Sequence, residues 1–475
     1  MADRRLPVLQ TEELRRGKPL SFTFDGRKIA AFEGDTVGSA LSAAGIDVLS
    51  RSFKYHRPRG LLCNAGRCPN CLVEADGLPN ARACTTAVAD GMRVRSQNAW
   101  PSLRRDLLSM VDRFDRFFPI GFYYKTFIRP RRLWPLYEKV LRSAAGIGRI
   151  DPKGRPDLHA RKRHLHADVA VVGGGPAGCL AALEAAAAGA RVVLVDDGTK
   201  LGGHLRIRSR SVTGDARIDG LPGWQAAARL AELVAAEPGI EHLAQATAIG
   251  LYEDGLLGVM QGNTFIRLRA GRIVVATGAA ERPALFDGND RPGIMLASGA
   301  LRLTRLQAVK PGERAVVVTD DDHGWRQAAE LVDAGITVVA LVDSRPDGVV
   351  APADREPLAQ AGMEVLPGTV PVATTGANRV TALSVRTADG DRRSIDCDLV
   401  VVATRPEPVL ALLGHEGITP RYDERLGEWV PGGSSERVLA AGHVTGLPND
   451  ELALRGGLLA GRRAAADAGF GPTNG

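Results

Sequence analysis

The stretch Ala167-Asp168-Val169-Ala170-Val171-Val172-Gly173-Gly174-Gly175-Pro176-Ala177-Gly178, continued as CLAALEAAAAGARVVLVDD to Asp197, decides the fold. The apolar run predicts a buried strand, the glycines a turn, the alanine-rich run a helix, and Arg191 to Val195 a second strand that ends on Asp196 and Asp197. Gly173 permits the tight turn, Gly175 lets backbone approach a diphosphate, and Gly178 lets the helix pack closely on the strand. Pro176 and Ala177 complete the turn. The phosphates would sit on the helix N-terminus, where unpaired N–H groups and the helix dipole favour negative charge. Asp196 is placed to accept a hydrogen bond from a ribose hydroxyl, with Asp197 beside it. Flanking strands and an acid at this distance predict a dinucleotide site rather than a Rossmann half that has lost its ligand.

Working outward, Leu201-Gly202-Gly203-His204 supplies a second glycine turn near the nucleotide, and Trp224 to Ala236 is patterned as a helix. Arg272 to Ala279 (RIVVATGA) is a buried strand whose end, with Thr277 and Gly278, resembles the second fingerprint of flavoproteins with two dinucleotide-binding domains. A third piece runs Val438-Leu439-Ala440-Ala441-Gly442-His443, followed by a helix from Glu451. The first nucleotide domain is therefore expected in two parts, residues 164–290 and 396–470. In that superfamily the third piece usually ends in Asp, which touches the ribityl–phosphate region of FAD. His443 stands there instead, so FAD, NAD and ATP all remain open as occupants. Between the two parts, residues 291–395 are patterned as a second Rossmann-like unit. Its strand Ala315 to Val318 runs into Thr319-Asp320-Asp321-Asp322-His323-Gly324. Carboxylates where phosphates should sit cost free energy, and the close-approach glycines are missing. This half is expected to serve packing, with its helix (Trp325 to Ala334) and next strand (Ile336 to Val342) intact, and not to bind NAD(P)H.

Ahead of this body, Leu20 to Ala31 alternates around Asp25-Gly26, a hairpin signal. A helix from Val37 to Ala44 follows, capped by Asp35 or Thr36 and closed by Gly45. Cys63, Cys68, Cys71 and Cys84 then fall in the spacing C-x4-C-x2-C-x12-C. The first three can fold as one loop around a small cluster, with turn freedom from Asn64 and Gly66. The initial spacing is that of plant-type ferredoxins. Residues 17–97 thus resemble a β-grasp [2Fe–2S] ferredoxin domain, and the four cysteines are the expected metal ligands. A structural zinc site is the alternative, although zinc favours paired C-x2-C knuckles and only one is present. Cys179 and Cys397 sit in predicted core positions, as small apolar fillers.

Residues 98–163 connect the modules. Of the chain's 23 aromatic residues, nine lie between 104 and 150, interleaved with arginines. Such a segment suits either a subunit interface or a clasp between modules. A Pro- and base-rich linker follows. At 475 residues the chain is too long for one core and suggests about three domains. It carries no apolar run of 18 or more residues, so no membrane span is expected. The N-terminus lacks the apolar core of a secretory signal, and clustered cysteines then indicate metal ligation in the cytoplasm rather than disulfides. The net charge of +7 comes from scattered arginines without a nucleic-acid motif, which suits an anionic substrate or partner.

The segments SRSFKYHRPRG (Ser50 to Gly60), SQNAWPSL (Ser96 to Leu103) and GFYYKTF (Gly121 to Phe127), with the glycine motifs, resemble the α-subunit family of multisubunit sarcosine oxidase and its amine and imino-acid dehydrogenase relatives. These include the hydrogen cyanide synthase, opine oxidase and proline or hydroxyproline dehydrogenase types. Two departures matter. Sarcosine oxidase α-subunits generally lack the cluster cysteines and carry a long C-terminal folate-binding region. This chain has the cysteines and stops after the flavoprotein-like body, so it looks closer to the iron–sulfur members, an expectation from the resemblance. The resemblance implies an amino-acid-oxidase-like β-subunit carrying FAD, with further small subunits and FMN between subunits in some members. It also implies hydride transfer from the C–H beside the substrate nitrogen to the β-subunit flavin, then electron passage through the interface flavin and the [2Fe–2S] cluster. The amine substrate would lie on the partner, and no residue here offers a convincing catalytic base. Lys54, Arg57 and Arg59 are candidates for a flavin phosphate by charge and loop position. His56 is read as an interface or structural histidine. Two rivals stand beside this reading: a stand-alone NAD(P)H-dependent reductase, which needs a working second nucleotide turn, and a non-catalytic nucleotide-binding scaffold. The body has no redox C-x-x-C, which excludes a thioredoxin-reductase-like mechanism.

Overall fold

The structure, a computed structural model, describes residues 4–110, 112, 129–144, 160–348, 355, 358–359, 361–433, 435–447 and 449–471. The GFYYKTF segment and most of the basic linker lie outside them. The chain divides into two compact units: residues 1–155 with 282–405, and residues 156–281 with 406–475.

In the first unit, strands Arg15–Phe24 and Arg27–Glu33 form a hairpin around Asp25 and Gly26, whose φ values of +48° and +79° suit a tight turn of matching twist. They belong to a five-stranded sheet completed by Arg93–Arg95, Leu72–Ala75 and Leu78–Arg82. The pairing of Arg15–Phe24 with Arg93–Arg95 is parallel, which gives the sheet its mixed β-grasp character. Helix Val37–Ala43 is fully buried. It is capped reciprocally by the Thr36 and Ser39 side chains, which satisfies two amides that would otherwise lack partners. Phe22, Ile29, Leu41 and Val73 fill the core beneath it, together with Cys71 and Cys84. Asp35 accepts the Ser39 hydroxyl and pairs with Arg5 at 2.9 Å, both side chains almost completely buried.

The same unit holds the second Rossmann-like half. Its five strands lie in the order Ile294–Leu296, Leu399–Val402, Arg314–Thr319, Thr337–Asp343, Glu364–Leu366, all parallel. Helix Asp322–Asp333 crosses over, and an antiparallel meander (Val370–Thr375, Ala382–Arg386, Arg392–Asp396) lies beside it. The cysteine loop packs directly on this half. Cys63 is in the apolar cluster formed by Ile294, Val316, Val318 and Val400, and the Leu296 amide donates to the Leu62 carbonyl at 3.0 Å.

The second unit is built on a seven-stranded sheet: Ile240–Leu243, Val192–Val195, Arg161–Val172, Thr264–Val275, Leu256–Gln261 and Ala246–Tyr252, with Val438–Ala440 alongside Thr264–Val275. Thr264–Val275 pairs in parallel with the whole of Arg161–Val172, so the buried strand foreseen at Val169 to Val172 extends outward through basic residues. Helix Asp450–Asp467 lies on helix Pro176–Ala187. A Cβ added at Gly457 would stand 2.3 Å from the Ala177 carbonyl, and one at Gly461 2.3 Å from that of Ala181. This paired-glycine contact was not foreseen, and it brings the C-terminal helix against the nucleotide turn. No described helix is long and apolar enough to cross a membrane.

Candidate functional site

The four cysteines come together. Cys63, Cys71 and Cys84 are buried and Cys68 is partly exposed. Contacts with the Cys68 and Cys84 sulfurs hold the Cys63 thiol far below its usual range, and contact with Cys84 lowers Cys71. The same contacts push Cys68 and Cys84 up. Four thiols in mutual contact supply the sulfur donors a metal centre needs. Backbone N–H groups of Ala65 and Arg67 face the Cys63 sulfur, and the Gly66 amide donates to the Cys84 Sγ at 3.3 Å. Asn64 and Gly66 adopt φ of +43° and +70°, so the loop turns its amides inward as their residue types suggested. The donor set, four sulfurs ringed by amides, fits an iron–sulfur cluster, whose sulfurs accept such hydrogen bonds.

The nucleotide turn in the other unit is equally specific in shape. Gly173 has φ +108°, and a Cβ there would meet the Ala276 carbonyl oxygen at 2.3 Å. A Cβ on Gly178 would come within 1.8 Å of the Gly173 carbonyl oxygen. At Gly175, the N-cap of helix Pro176–Ala187, an added Cβ would meet nothing within 4 Å. Two glycines are thus required by packing, while the third leaves open space at the helix N-terminus, where a diphosphate belongs. Gly203 (φ +52°) closes on Gly175, and Gly442 (φ +79°) on Ala177. Gly278 (φ +71°) faces open space, and the Thr277 hydroxyl donates to the Val409 carbonyl at 2.9 Å. Asp196 accepts the amides of Gly174 and Gly198, and burial pushes its carboxyl up from the ordinary value. It orders the turn itself, and a carboxylate retains lone pairs for a further donor. Asp197 is exposed.

His443 does not stand alone. It and His204 approach one oxygen of Asp450 at 3.4 and 2.9 Å, and Arg208 pairs with the other. In the sequence His204 is legible only as the residue after a glycine turn, and Asp450 lies just ahead of the helix expected from Glu451 with no reading of its own. Their convergence has no signal in the sequence.

In the first unit, Arg57 and Arg59 are engaged by carboxylates: Arg57 Nε with Asp112 at 2.8 Å and Arg59 with Asp290 at 2.8 Å. Lys54 and Arg57 also stack on Tyr55. A phosphate reaching this loop must displace Asp112 and Asp290. His56 is buried, with its Nδ1 on the Asn98 carbonyl and on Asp106, which agrees with a structural histidine. The second Rossmann turn holds Asp321 buried, Asp320 accepting the Arg405 amide, and Asp322 paired with Arg345. One glycine of the close-packing kind is present, while the phosphate-approach positions hold the carboxylates. Gly324 lies where a Cβ would meet the Thr319 hydroxyl at 2.0 Å.

The model of the pyridine nucleotide-disulphide oxidoreductases matches residues 167–448, well over half of the chain. The chain belongs to this family. Ahead of the matched region, residues 17–99 match a 2Fe-2S iron-sulfur cluster binding domain. The chain is 37% identical to the alpha subunit of sarcosine oxidase from Rhizobium meliloti (strain 1021) over 446 residues, 90% of this chain and 44% of the relative. An opine oxidase subunit from Rhizobium meliloti is 26% identical over 64% of this chain and 63% of its own length. The expected resemblance is therefore borne out, with the chain spanning less than half of that sarcosine oxidase polypeptide. Among solved structures, L-proline dehydrogenase from P. horikoshii superposes with a TM-score of 0.69 at 20% identity, over 97% of this chain and 76% of that one. This supports the fold: a ferredoxin-like domain followed by a body with two Rossmann-like halves.

Proposed function

We propose that the chain is the α-type, electron-relaying subunit of a heteromeric flavin- and iron–sulfur-dependent oxidoreductase acting on the CH–NH bond of an amine or imino acid. The sarcosine, proline and hydroxyproline classes are the candidates. The observation that carries this reading is the second nucleotide turn. The half packed against the four-thiol loop presents Asp320 to Asp322 where a reduced nicotinamide dinucleotide would need amides and glycines. Electrons for a cluster beside that half must then come from elsewhere, and a flavin-bearing partner with its own amine pocket meets the need.

One-electron transfer is the chemistry a [2Fe–2S] cluster supplies when bound. The chain's own residues do the rest. Cys63, Cys68, Cys71 and Cys84 hold the metal centre, and the amides of Ala65, Gly66 and Arg67 stabilise negative charge on sulfur. Gly173, Gly175, Pro176, Ala177 and Gly178 cradle a diphosphate, with Gly203, Thr277, Gly278 and Gly442 around it and Asp196 and Asp197 on the ribose side. We assign this cradle to FAD or to an adenine dinucleotide or nucleotide in its place. Lys54, Arg57 and Arg59 form the basic loop offered to an FMN phosphate at a subunit interface. Nothing in the body resembles a redox C-x-x-C: Cys179 and Cys397 are buried, 218 positions apart, and burial pushes each thiol up to about 12. We place the protein in the cytoplasm, where thiols stay reduced.

The test is visible and low-temperature EPR spectroscopy of the chain purified with its natural partners. A rhombic [2Fe–2S] signal after dithionite and flavin bands bleached anaerobically by sarcosine, proline or hydroxyproline, but not by NADH, are the expected result. Cluster reduction by NADH in the isolated chain would instead establish the stand-alone reductase. Zinc in place of the cluster would leave a nucleotide-binding scaffold. Cys71→Ser should abolish the cluster signal.

A further inference from the structure

We infer that His204, His443 and Asp450 form a binding site for a single divalent transition-metal ion at the rim of the nucleotide cradle. The inference goes beyond the electron-relay reading and does not depend on it. Three ligand atoms, one from each residue, lie within 4.8 Å of one another. The His204 and His443 Nε2 atoms stand 2.9 and 3.4 Å from the same Asp450 oxygen, Oδ1. Tetrahedral ligands about 2.1 Å from a common zinc ion stand roughly 3.4 Å apart, so the His443 separation of 3.4 Å matches and the His204 separation of 2.9 Å must open slightly. The imidazoles meet edge to face, with centroids 5.3 Å apart and planes at 75°.

The support around the ligands is of the kind a metal site requires. Arg208 holds the other carboxylate oxygen, Oδ2, so Asp450 presents Oδ1 alone to the imidazoles. Each histidine follows a glycine in left-handed conformation that is packed against the cradle: Gly203 on Gly175, Gly442 on Ala177. Asp450 sits in the first turn of its helix, directly after the Asn449 cap. The ligands therefore project from anchored backbone. Their side chains keep 40%, 24% and 20% of their exposure, which leaves an entry path. Two imidazoles and one carboxylate suit zinc, iron(II) or nickel rather than magnesium or calcium. On this reading His443, standing where the superfamily's Asp touches a flavin, serves a metal.

The test is zinc binding by the chain with its [2Fe–2S] cluster loaded, so that the four cysteines are occupied. The protein is passed over a chelating resin and titrated with Zn2+ by calorimetry, and metal per chain is counted by mass spectrometry. One zinc per chain beyond the cluster iron is expected, with affinity falling as pH drops and protons compete for the imidazoles. His443→Ala and the milder His204→Gln should each abolish stoichiometric binding. Arg208→Gln should weaken it by about 10- to 100-fold. A circular dichroism spectrum and melting temperature unchanged from wild type show that the unit carrying each variant is folded. A wild type that takes up no zinc, or histidine variants that take up as much as wild type, overturns the assignment. Neither result depends on whether flavin, partner or amine activity is found.

Discussion

The chain contains two Rossmann-like turns that have taken opposite courses. At Gly173 to Gly175, and again at Gly178, the strand-to-helix junction is bare backbone. Two positions cannot hold a side chain, and the third, Gly175, faces open space at a helix N-terminus. At Thr319 to Gly324 the junction keeps the packing glycine, Gly324, but fills the phosphate position with carboxylates. Each turn also holds an aspartate, Asp196 half-buried and Asp321 buried, whose carboxyl is pushed up by burial. Asp196 spends its oxygens on two amides of its own turn. Asp321 Oδ1, by contrast, has no partner among the described residues, and Oδ2 has Arg405 at 3.4 Å. The packing requirements of a fold and the charge requirements of a ligand are thus separable. The second half retains the first and has lost the second.

The largest expected effect comes from adding bulk where packing forbids it. Gly178→Val should remove retained nucleotide altogether and destabilise its unit by about 3 kcal/mol or more, while the cluster spectrum of the other unit persists. Gly324→Val should do the reverse, lowering the melting temperature without changing the nucleotide recovered on acid extraction. Equal nucleotide loss in both variants would erase the distinction. A smaller effect is expected for Asp196→Asn. Losing a charged acceptor for the turn amides should weaken nucleotide binding about 10- to 100-fold, measured by equilibrium titration. Unchanged affinity would remove Asp196 from the site.

The smallest effect concerns Asp321. Its folded-state pKa lies above the ordinary 3.8, through burial first and the neighbouring Asp320 after it. Ionisation therefore costs folding free energy as pH rises from 3.8 through the folded value. The cost is absent below that window, where both states are protonated, and constant above it. Asp321→Asn should melt on the order of a degree or two higher than wild type at neutral pH, with the gap closing as pH falls toward 3.8. A variant that melts lower at neutral pH would show that the carboxylate is needed, and would point to a ligand for the second turn.

What the sequence determined by itself is everything set by local spacing. The glycine turn, the hairpin at Asp25-Gly26, the cap at Thr36 and the C-x4-C-x2-C-x12-C run are each dictated by backbone conformations or ligand reach over a few residues. They could be read one after another, and with them the β-grasp domain and the Rossmann-like body. Tertiary structure decided which distant groups meet. Gly457 and Gly461 look like ordinary helix residues until Ala177 and Ala181 pack on them. Arg57 and Arg59 look available for a phosphate until Asp112 and Asp290 take them up. His443 looks like a missing aspartate until His204, from a loop 239 positions earlier, and Asp450 join it. Such encounters depend on which chain crossings bury the most apolar surface, a property of the whole core that no short stretch of residues encodes.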